Sequence, residues 1–294
     1  MIFVANGMPR SGSLLQYNIA RVMLETRQDQ QHQVVETHVL WDLPKDKLPR
    51  MEDAVMADDW YLAHAHEMRY LSGCFQRFSA LRAIQLARQG RLLVGHTYRD
   101  LRDVAASLKS YYGPQRQDTL GDLRPAVTYH QWLSRFRSES WVLFQRYEET
   151  IQDLPAAAHA IAELLGVKDE HAVRNAAQEC SMDEVLARQS QLQQRAYGTG
   201  TVTGLVGEHP DEFDGLSAVM AAEQFTAPDQ HQMGLRDLHS RMFLHHVSPR
   251  RGRPESWSEV LSEEEVAMIE REYAAYLLHE GYELTQNASA PSPE

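Results

Sequence analysis

The chain has 294 residues, 43% of them apolar, and a formal net charge of −12 at pH 7. This length is enough for one large domain with a sizeable core, and the apolar fraction excludes a fibrous or disordered protein. The negative charge disfavours a nucleic-acid partner, because such proteins need a basic surface, and it also disfavours long polyanionic ligands.

Cysteine content and hydropathy favour a cytoplasmic protein. The two cysteines, Cys74 and Cys180, are too few for a disulfide framework and fit a reducing compartment. The first apolar stretch, residues 1–5, is too short for the hydrophobic region of a signal peptide. No run of 18 apolar residues predicts a membrane span, so we expect no membrane partner.

Strands and helices alternate along most of the chain. Apolar or alternating runs predict strands over 2–5, 34–40, 60–65, 91–98 and 141–147. Helical spacing predicts helices from Ser13 to about residue 25, and over 68–89, 99–112 and 155–165, with Gly90 terminating the second of these. This alternation predicts a three-layer α/β/α fold with a central parallel sheet.

The chain is expected to form a single domain over residues 1–284, because neither an internal repeat nor a change in composition divides it. Residues 195–248 are rich in Gly, Thr, Asp and His and have little periodicity, which predicts an irregular insertion or lid. Residues 285–294 are predicted to be a disordered tail. The sequence gives no indication of oligomeric state.

A phosphate-binding loop is predicted after the first strand, with the sequence Gly7-Met-Pro-Arg-Ser-Gly-Ser13. Glycines allow backbone N–H groups to turn inward, and the N-terminus of the following helix attracts an anion. The spacing imitates an ATP-binding P-loop, but Ser13 and Leu14 stand where that loop needs Lys and Ser or Thr. Arg10 is the one cation within the loop. The sequence therefore indicates phosphate binding and argues against a nucleoside triphosphatase; read alone, the loop also fits an ordinary strand–turn–helix connection.

Two further cationic elements follow. Arg99 leaves the strand 91–98 and Ser107 lies two turns along the next helix, so both could meet a ligand at the carboxyl edge of the sheet. The alternative for this pair is that Arg99 binds Asp103 and Ser107 faces solvent. Near the C-terminus, Arg250, Arg251 and Arg253 surround Gly252; they suit a loop that pairs with phosphate, or else a solvated turn.

In this order, the motifs resemble those of the sulfotransferases that use 3′-phosphoadenosine 5′-phosphosulfate (PAPS), over roughly residues 2–283. The resemblance implies a sulfotransferase fold similar to that of P-loop proteins, without a metal. It implies that the loop residues Arg10, Ser11, Gly12, Ser13 and Leu14 bind the 5′-phosphosulfate. Arg99 and Ser107 match the pair that binds the 3′-phosphate, and Arg250, Arg251 and Gly252 match the C-terminal basic segment, with Trp257 beyond it.

The same resemblance places adenine beside Tyr147, Cys180 and Met182. The match departs from the family pattern at three positions: Leu14 replaces a hydroxyl residue, Leu15 replaces a Trp that stacks on adenine, and Glu255 replaces a glycine. Aliphatic contacts are a weaker platform for a base than an aromatic face.

The resemblance also implies a catalytic histidine, which aligns with His66. A histidine suits a general base near neutral pH. His64 aligns with a family lysine that contacts the transferring group and is the second candidate for the base, followed by His38 and Glu67. His64 and His66 also suit two ligands of a metal ion, but no third ligand with convincing spacing accompanies them.

The expected function is in-line transfer of a sulfuryl group from PAPS to a hydroxyl or amine of a small-molecule acceptor, with Arg10 stabilising the leaving phosphate. The product would be 3′,5′-adenosine bisphosphate (PAP). The predicted lid contains an acidic cluster, which favours a cationic or neutral acceptor: Glu208, Asp211, Glu212 and Asp214. The alternatives are a catalytically silent PAP-binding module, a P-loop enzyme resembling nucleotide kinases, and a scaffold protein.

Overall fold

The computed structural model describes residues 1–26, 34–37, 60–66, 80–112, 119–188 and 252–285, and for the short strands within 34–37 and 60–66 it describes the backbone alone. Several sequence predictions lie outside these ranges. They concern the lid over 195–248, the acidic cluster within it, most of the tail, His38, Glu67, Arg250 and Arg251.

The described residues include five parallel strands, which form the central sheet in the order β2-β3-β1-β4-β5. The strands are β1 (Ile2–Gly7), β2 (Val34–Thr37), β3 (Trp60–His66), β4 (Leu92–Tyr98) and β5 (Val142–Arg146). Because β1 is central and pairs with both β3 and β4, the loop that follows it lies at the middle of the sheet's carboxyl edge. In open α/β sheets this edge is where ligands bind.

Helices connect and cover the strands. They are α1 (Ser13–Thr26), α2 (Ala80–Arg88), α3 (Leu101–Tyr112), α4 (Thr119–Ser134), α5 (Tyr147–Gln152), α6 (Leu154–Leu165), α7 (Glu170–Glu179) and α8 (Glu263–His279), with a helical segment over 182–188 and a 3₁₀ helix at Ser256–Glu259. Gly90 adopts a left-handed conformation after α2, as predicted for a terminator. None of the helices in these described ranges is long and apolar enough to span a membrane.

Two clusters of buried apolar side chains hold the layers together. The first joins the sheet to α1, α6 and α7, and it includes Phe3, Tyr17 and Ile161. The second joins α3, α4 and α8, and it includes Leu101, Leu123 and Leu277. Together they confirm the predicted three-layer α/β/α fold, with apolar burial as the main stabilising term.

A chain of buried polar side chains connects the central strands to α4 and α8. Asn6 Nδ2 lies 3.0 Å from His96 Nδ1, and His96 Nε2 lies 3.0 Å from Nδ1 of His130. His130 Nε2 lies 2.9 Å from Glu280, which also accepts from Arg137 at 2.9 Å. Burial raises the pKa of Glu280, but hydrogen bonds from His130 and Arg137 outweigh it and lower that pKa to about 2. Burial, with the nearby His130 and Arg137, holds the pKa of His96 well below its ordinary value.

We expect the free energy of unfolding to decrease as pH falls below about 6.5, because the unfolded state then takes up a proton on residue 96 and the folded state does not. The contribution of His96 is a slope of up to about 1.4 kcal/mol per pH unit. Urea unfolding at several pH values between 5 and 8 measures it. The slope should be smaller in His96→Gln and unchanged in His159→Gln, whose side chain is exposed; equal slopes in all three proteins would contradict the prediction.

Candidate active site

The loop after β1 is closed by side-chain hydrogen bonds to β4. The buried Ser11 hydroxyl lies 2.7 Å from the Met8 carbonyl oxygen and 2.9 Å from that of Thr97, and 3.0 Å from the Thr97 hydroxyl. The Met8 N–H donates to the Thr97 carbonyl at 3.1 Å. The Ser11 side chain therefore fixes the loop to the neighbouring strand, and its predicted contact with a 5′-phosphosulfate stays a prediction.

The loop leads into α1 in the manner of an anion cradle. The first intrahelical bond of α1 runs from the Gln16 N–H to the Gly12 carbonyl at 3.1 Å. The N–H groups of residues 13–15 therefore precede that bond, at the positive end of the helix. Arg10 adopts a left-handed conformation, with φ of 61°, which is costly for a residue with a Cβ; such conformations are enriched at functional sites.

Arg10 joins two of the predicted anion-binding elements. Its Nε donates to the Ser107 hydroxyl at 3.0 Å, across 97 positions of sequence. Ser107 lies in α3 and is half-buried, so it does not face open solvent as the alternative interpretation supposed.

Arg99 lies between the loop and the C-terminal segment. It is only 4% exposed, and its guanidinium donates to the Arg10 carbonyl at 3.2 Å and to the Gly252 and Arg253 carbonyls at 3.4 Å each. It also pairs with Asp103 at 3.4 Å, as the alternative interpretation expected. Its buried Nε makes no hydrogen bond with any of the described residues. A cation held mainly by carbonyls, with one donor unused, suits an additional anionic partner.

Asp103 connects α3 with the segment 252–257. Its carboxylate accepts from the Glu255 N–H at 2.8 Å and from the Trp257 N–H at 3.0 Å, and the Ser256 hydroxyl lies 3.4 Å away. Burial raises the pKa of Asp103, although Arg99 and the backbone donors act in the opposite direction. The Glu255 backbone is left-handed, with φ of 58°, which explains why glycine is the expected residue there.

Tyr147 packs between two glycines of the site. The sequence predicted that Tyr147 ends a strand, but in the structure it begins α5. The Arg99 guanidinium lies 4.2 Å from the centroid of its ring. A Cβ on Gly12 would lie 2.7 Å from Tyr147 Cδ2, and a Cβ on Gly252 would overlap the Tyr147 hydroxyl. Burial raises the pKa of Tyr147. The ring therefore joins the loop to the C-terminal segment; its predicted contact with adenine stays a prediction.

Gly12→Ala is expected to destabilise the protein by about 1–3 kcal/mol more than Gly166→Ala. Both positions have positive φ, 91° and 70°, so both variants incur the cost of a left-handed alanine. Only Gly12 would also press a methyl group against Tyr147, since nothing lies within 4 Å of a Cβ on Gly166. Urea unfolding of the two variants measures the difference. Equal losses would contradict the packing of Tyr147 on the loop.

The predicted adenine residues lie in different environments. Cys180 is 4% exposed and packs in the first core cluster, and burial raises the pKa of its thiol to about 12. Met182 is 36% exposed. Leu14 and Leu15 are half-buried and pack against the same core cluster as Cys180. The assignment of these residues to the adenine site stays a prediction.

The two candidate bases lie on β3, the strand beside the loop. In the parallel register His66 pairs with Gly7, the last residue of β1, and His64 pairs with Ala5. Gly7 also pairs with Thr97 on the other side. The backbone of residue 66 is therefore at the carboxyl edge of the sheet, one strand from the loop. Within the described ranges no group of three His, Cys, Asp or Glu residues could hold a metal ion.

Comparison of whole folds identifies the architecture. The sequence matches no family model, and no curated protein matches it significantly. Retinol dehydratase in complex with androsterone and the inactive cofactor PAP superposes with a TM-score of 0.53 at 13% identity, over 98% of this chain and 83% of the other. The complex of retinol dehydratase with retinol and PAP gives 0.51 at 13% identity, over 99% and 83%. This chain has the fold of retinol dehydratase.

A third similar structure is mouse sulfotransferase SULT7A1 complexed with PAP, with a TM-score of 0.46 at 14% identity, over 80% of this chain and 88% of the other. Within the described residues, this fold brings together Arg10, Gly12, Arg99, Ser107, Tyr147 and Gly252. Sequence reasoning missed Asp103 as the anchor of the C-terminal segment. It also missed Thr97, which accepts the loop's hydrogen bonds.

Proposed function

We propose that the protein binds PAPS at the loop after β1 and transfers its sulfuryl group to a hydroxyl or amine of a small-molecule acceptor. The observation that carries the proposal is the meeting of three sequence-distant elements. Arg10 reaches Ser107, and Arg99 reaches both the Arg10 carbonyl and the C-terminal segment. Two arginines within one hydrogen-bonded cluster suit a ligand that carries two separate phosphate groups.

The residues of the site divide the work of the proposed reaction. The acceptor oxygen or nitrogen would form a bond to sulfur as the bond between sulfur and the phosphate oxygen breaks, and the acceptor's proton would pass to a base. The loop N–H groups and Arg10 would stabilise the charge that develops on the departing PAP. His66 would take the proton, with His64 as the alternative. Arg99 and Ser107 would bind the 3′-phosphate.

Isothermal titration calorimetry with PAP tests the nucleotide half of the proposal. We expect binding of PAP in the presence of EDTA, and binding of 5′-AMP that is weaker by about 10–100-fold because AMP lacks the 3′-phosphate contacts. An absence of PAP binding, or binding only with added Mg²⁺, would contradict the proposal. An acceptor screen with PAPS labelled in its sulfate then tests transfer, and cationic and neutral small molecules are the first candidates.

A further inference from the structure

Asp103 is an acidic residue buried among the residues that are proposed to bind phosphate. Its side chain is 1% exposed and negatively charged, so it cannot itself bind a phosphate. Both of its oxygens are nevertheless used. Oδ2 accepts the Glu255 N–H and lies 3.4 Å from the Arg99 guanidinium, and Oδ1 accepts the Trp257 N–H.

Arg99 lies just before α3 and Asp103 lies in its first turn, and they hold the two ends of the same segment. Arg99 donates to the carbonyls of Gly252 and Arg253, at the beginning of the segment 252–257. Asp103 accepts N–H groups at its end. The segment therefore lies between a cation and an anion that are themselves paired, and neither contact can shift without changing the other.

We propose that Asp103 is a positioning residue of the 3′-phosphate site: it anchors the segment 252–257 on α3 and fixes the plane of the Arg99 guanidinium. This inference rests on the proposed function. It assigns a role to a carboxylate that sequence reasoning had considered only as an ordinary ion-pair partner of Arg99.

Two physical effects of Asp103 oppose each other. Its negative charge beside Arg99 lowers the attraction of that arginine for a phosphate. Its ion pair with Arg99 orients the guanidinium, and its hydrogen bonds with Glu255 and Trp257 retain the segment. An arginine pairs with phosphate well only when its planar donors are aimed. We infer that orientation has the larger effect, because Asp103 holds both the Arg99 guanidinium and the backbone of the segment that surrounds it. The sign of the change in affinity decides between them.

The experiment compares Asp103→Ala and Asp103→Asn with Leu133→Ala, a core variant in α4 that lowers stability without touching the site. Calorimetry gives the dissociation constants of PAP and 5′-AMP for each protein. In the Asp103 variants we expect PAP to bind about 10–100-fold more weakly and AMP to change by less than about threefold. Leu133→Ala should leave the ratio of the two constants unchanged.

A double variant separates positioning from a general structural effect. If Asp103 acts through Arg99, the double variant Arg99→Ala/Asp103→Ala should bind PAP no more weakly than Arg99→Ala alone. A residue that only stabilises the fold would instead add its own loss, and this loss would apply equally to AMP.

Hydrogen exchange gives a readout that needs no ligand. In nucleotide-free Asp103→Asn the amides of Glu255 and Trp257 should exchange faster than in Leu133→Ala, because one amide oxygen replaces two carboxylate acceptors. If Asp103→Ala does not fold, hydrogen exchange in Asp103→Asn still tests the proposal.

The failures of the two proposals are distinguishable. Wild-type protein that does not bind PAP would overturn the proposed function, and this inference with it. Wild-type protein that binds PAP, combined with an Asp103 variant that binds PAP as well as or better than wild type, would overturn this inference alone. Equal weakening of PAP and AMP in that variant, or unchanged exchange at Glu255 and Trp257, would overturn it likewise.

Discussion

His66→Ala is expected to slow sulfuryl transfer by about 10²–10⁴-fold, while the affinity for PAP changes by less than about threefold. The reason is the position of residue 66. It pairs in register with Gly7, at the carboxyl edge of β3, beside the loop that is proposed to hold the phosphosulfate. A base at this edge removes the acceptor's proton as the new bond forms. It has no part in holding the nucleotide, which is assigned to the loop, α3 and the C-terminal segment.

The rate is measured as the appearance of PAP, first with an acceptor from the screen. Without an acceptor, water can take its place, and the products are then PAP, sulfate and two protons, the second released when hydrogensulfate ionises. His64→Ala, two residues earlier on the same strand, identifies which histidine is the base. His159→Ala is the control, because its side chain is exposed on α6.

Several outcomes would change the assignment. Full turnover in His66→Ala combined with loss in His64→Ala would move the role of base to His64. Turnover in both variants would exclude a histidine of β3 as the base. Wild-type protein that binds PAP and transfers sulfate to no acceptor, and not to water, would favour a silent binding module over an enzyme.

The strands were predictable because burial on both faces gives them nearly continuous apolar sequences. Ile2–Ala5 and Leu92–Val94 have this character, and their strands appear close to the predicted bounds. The order of the strands was less accessible, since pairing between β1 and β4 depends on packing across about 90 residues of intervening chain. The helices α4, α5, α7 and α8 were not predicted. α4 carries Pro125 in its interior, and α8 has a residue with a non-helical backbone, Tyr273.

The site was predictable where a motif has fixed local spacing. Arg99 and Ser107 are separated by two helical turns, and both reach the loop in the fold. The contacts that hold the site together were not predictable in the same way. The packing of Tyr147 on Gly12 and Gly252 joins three distant positions, and no local pattern encodes it. Asp103 could have been found from its spacing to Arg99, but an i,i+4 pair on a helix normally indicates a surface ion pair.

Arg99→Ala is expected to weaken PAP binding by about 100-fold and 5′-AMP binding by less than about threefold. The physical reason is that the Arg99 guanidinium is the buried cation between the loop and the segment 252–257, and AMP lacks the phosphate assigned to it. Calorimetry with both nucleotides measures the selectivity. Arg124→Ala, which removes an exposed arginine of α4 and thus matches the change in net charge, should alter neither constant.

Arg99→Ala should also lower the free energy of unfolding by about 3–5 kcal/mol, because it leaves the Asp103 carboxylate buried without its cation. Arg99→Lys separates the two effects. A lysine keeps the charge and most of the stability, but it lacks the planar fork that can contact two carbonyls and a phosphate at once. We therefore expect Arg99→Lys to unfold close to wild type and to bind PAP with an affinity between those of wild type and Arg99→Ala. Equal weakening of PAP and AMP in Arg99→Ala would remove Arg99 from the 3′-phosphate site, and the stability loss alone would then define it as a structural partner of Asp103.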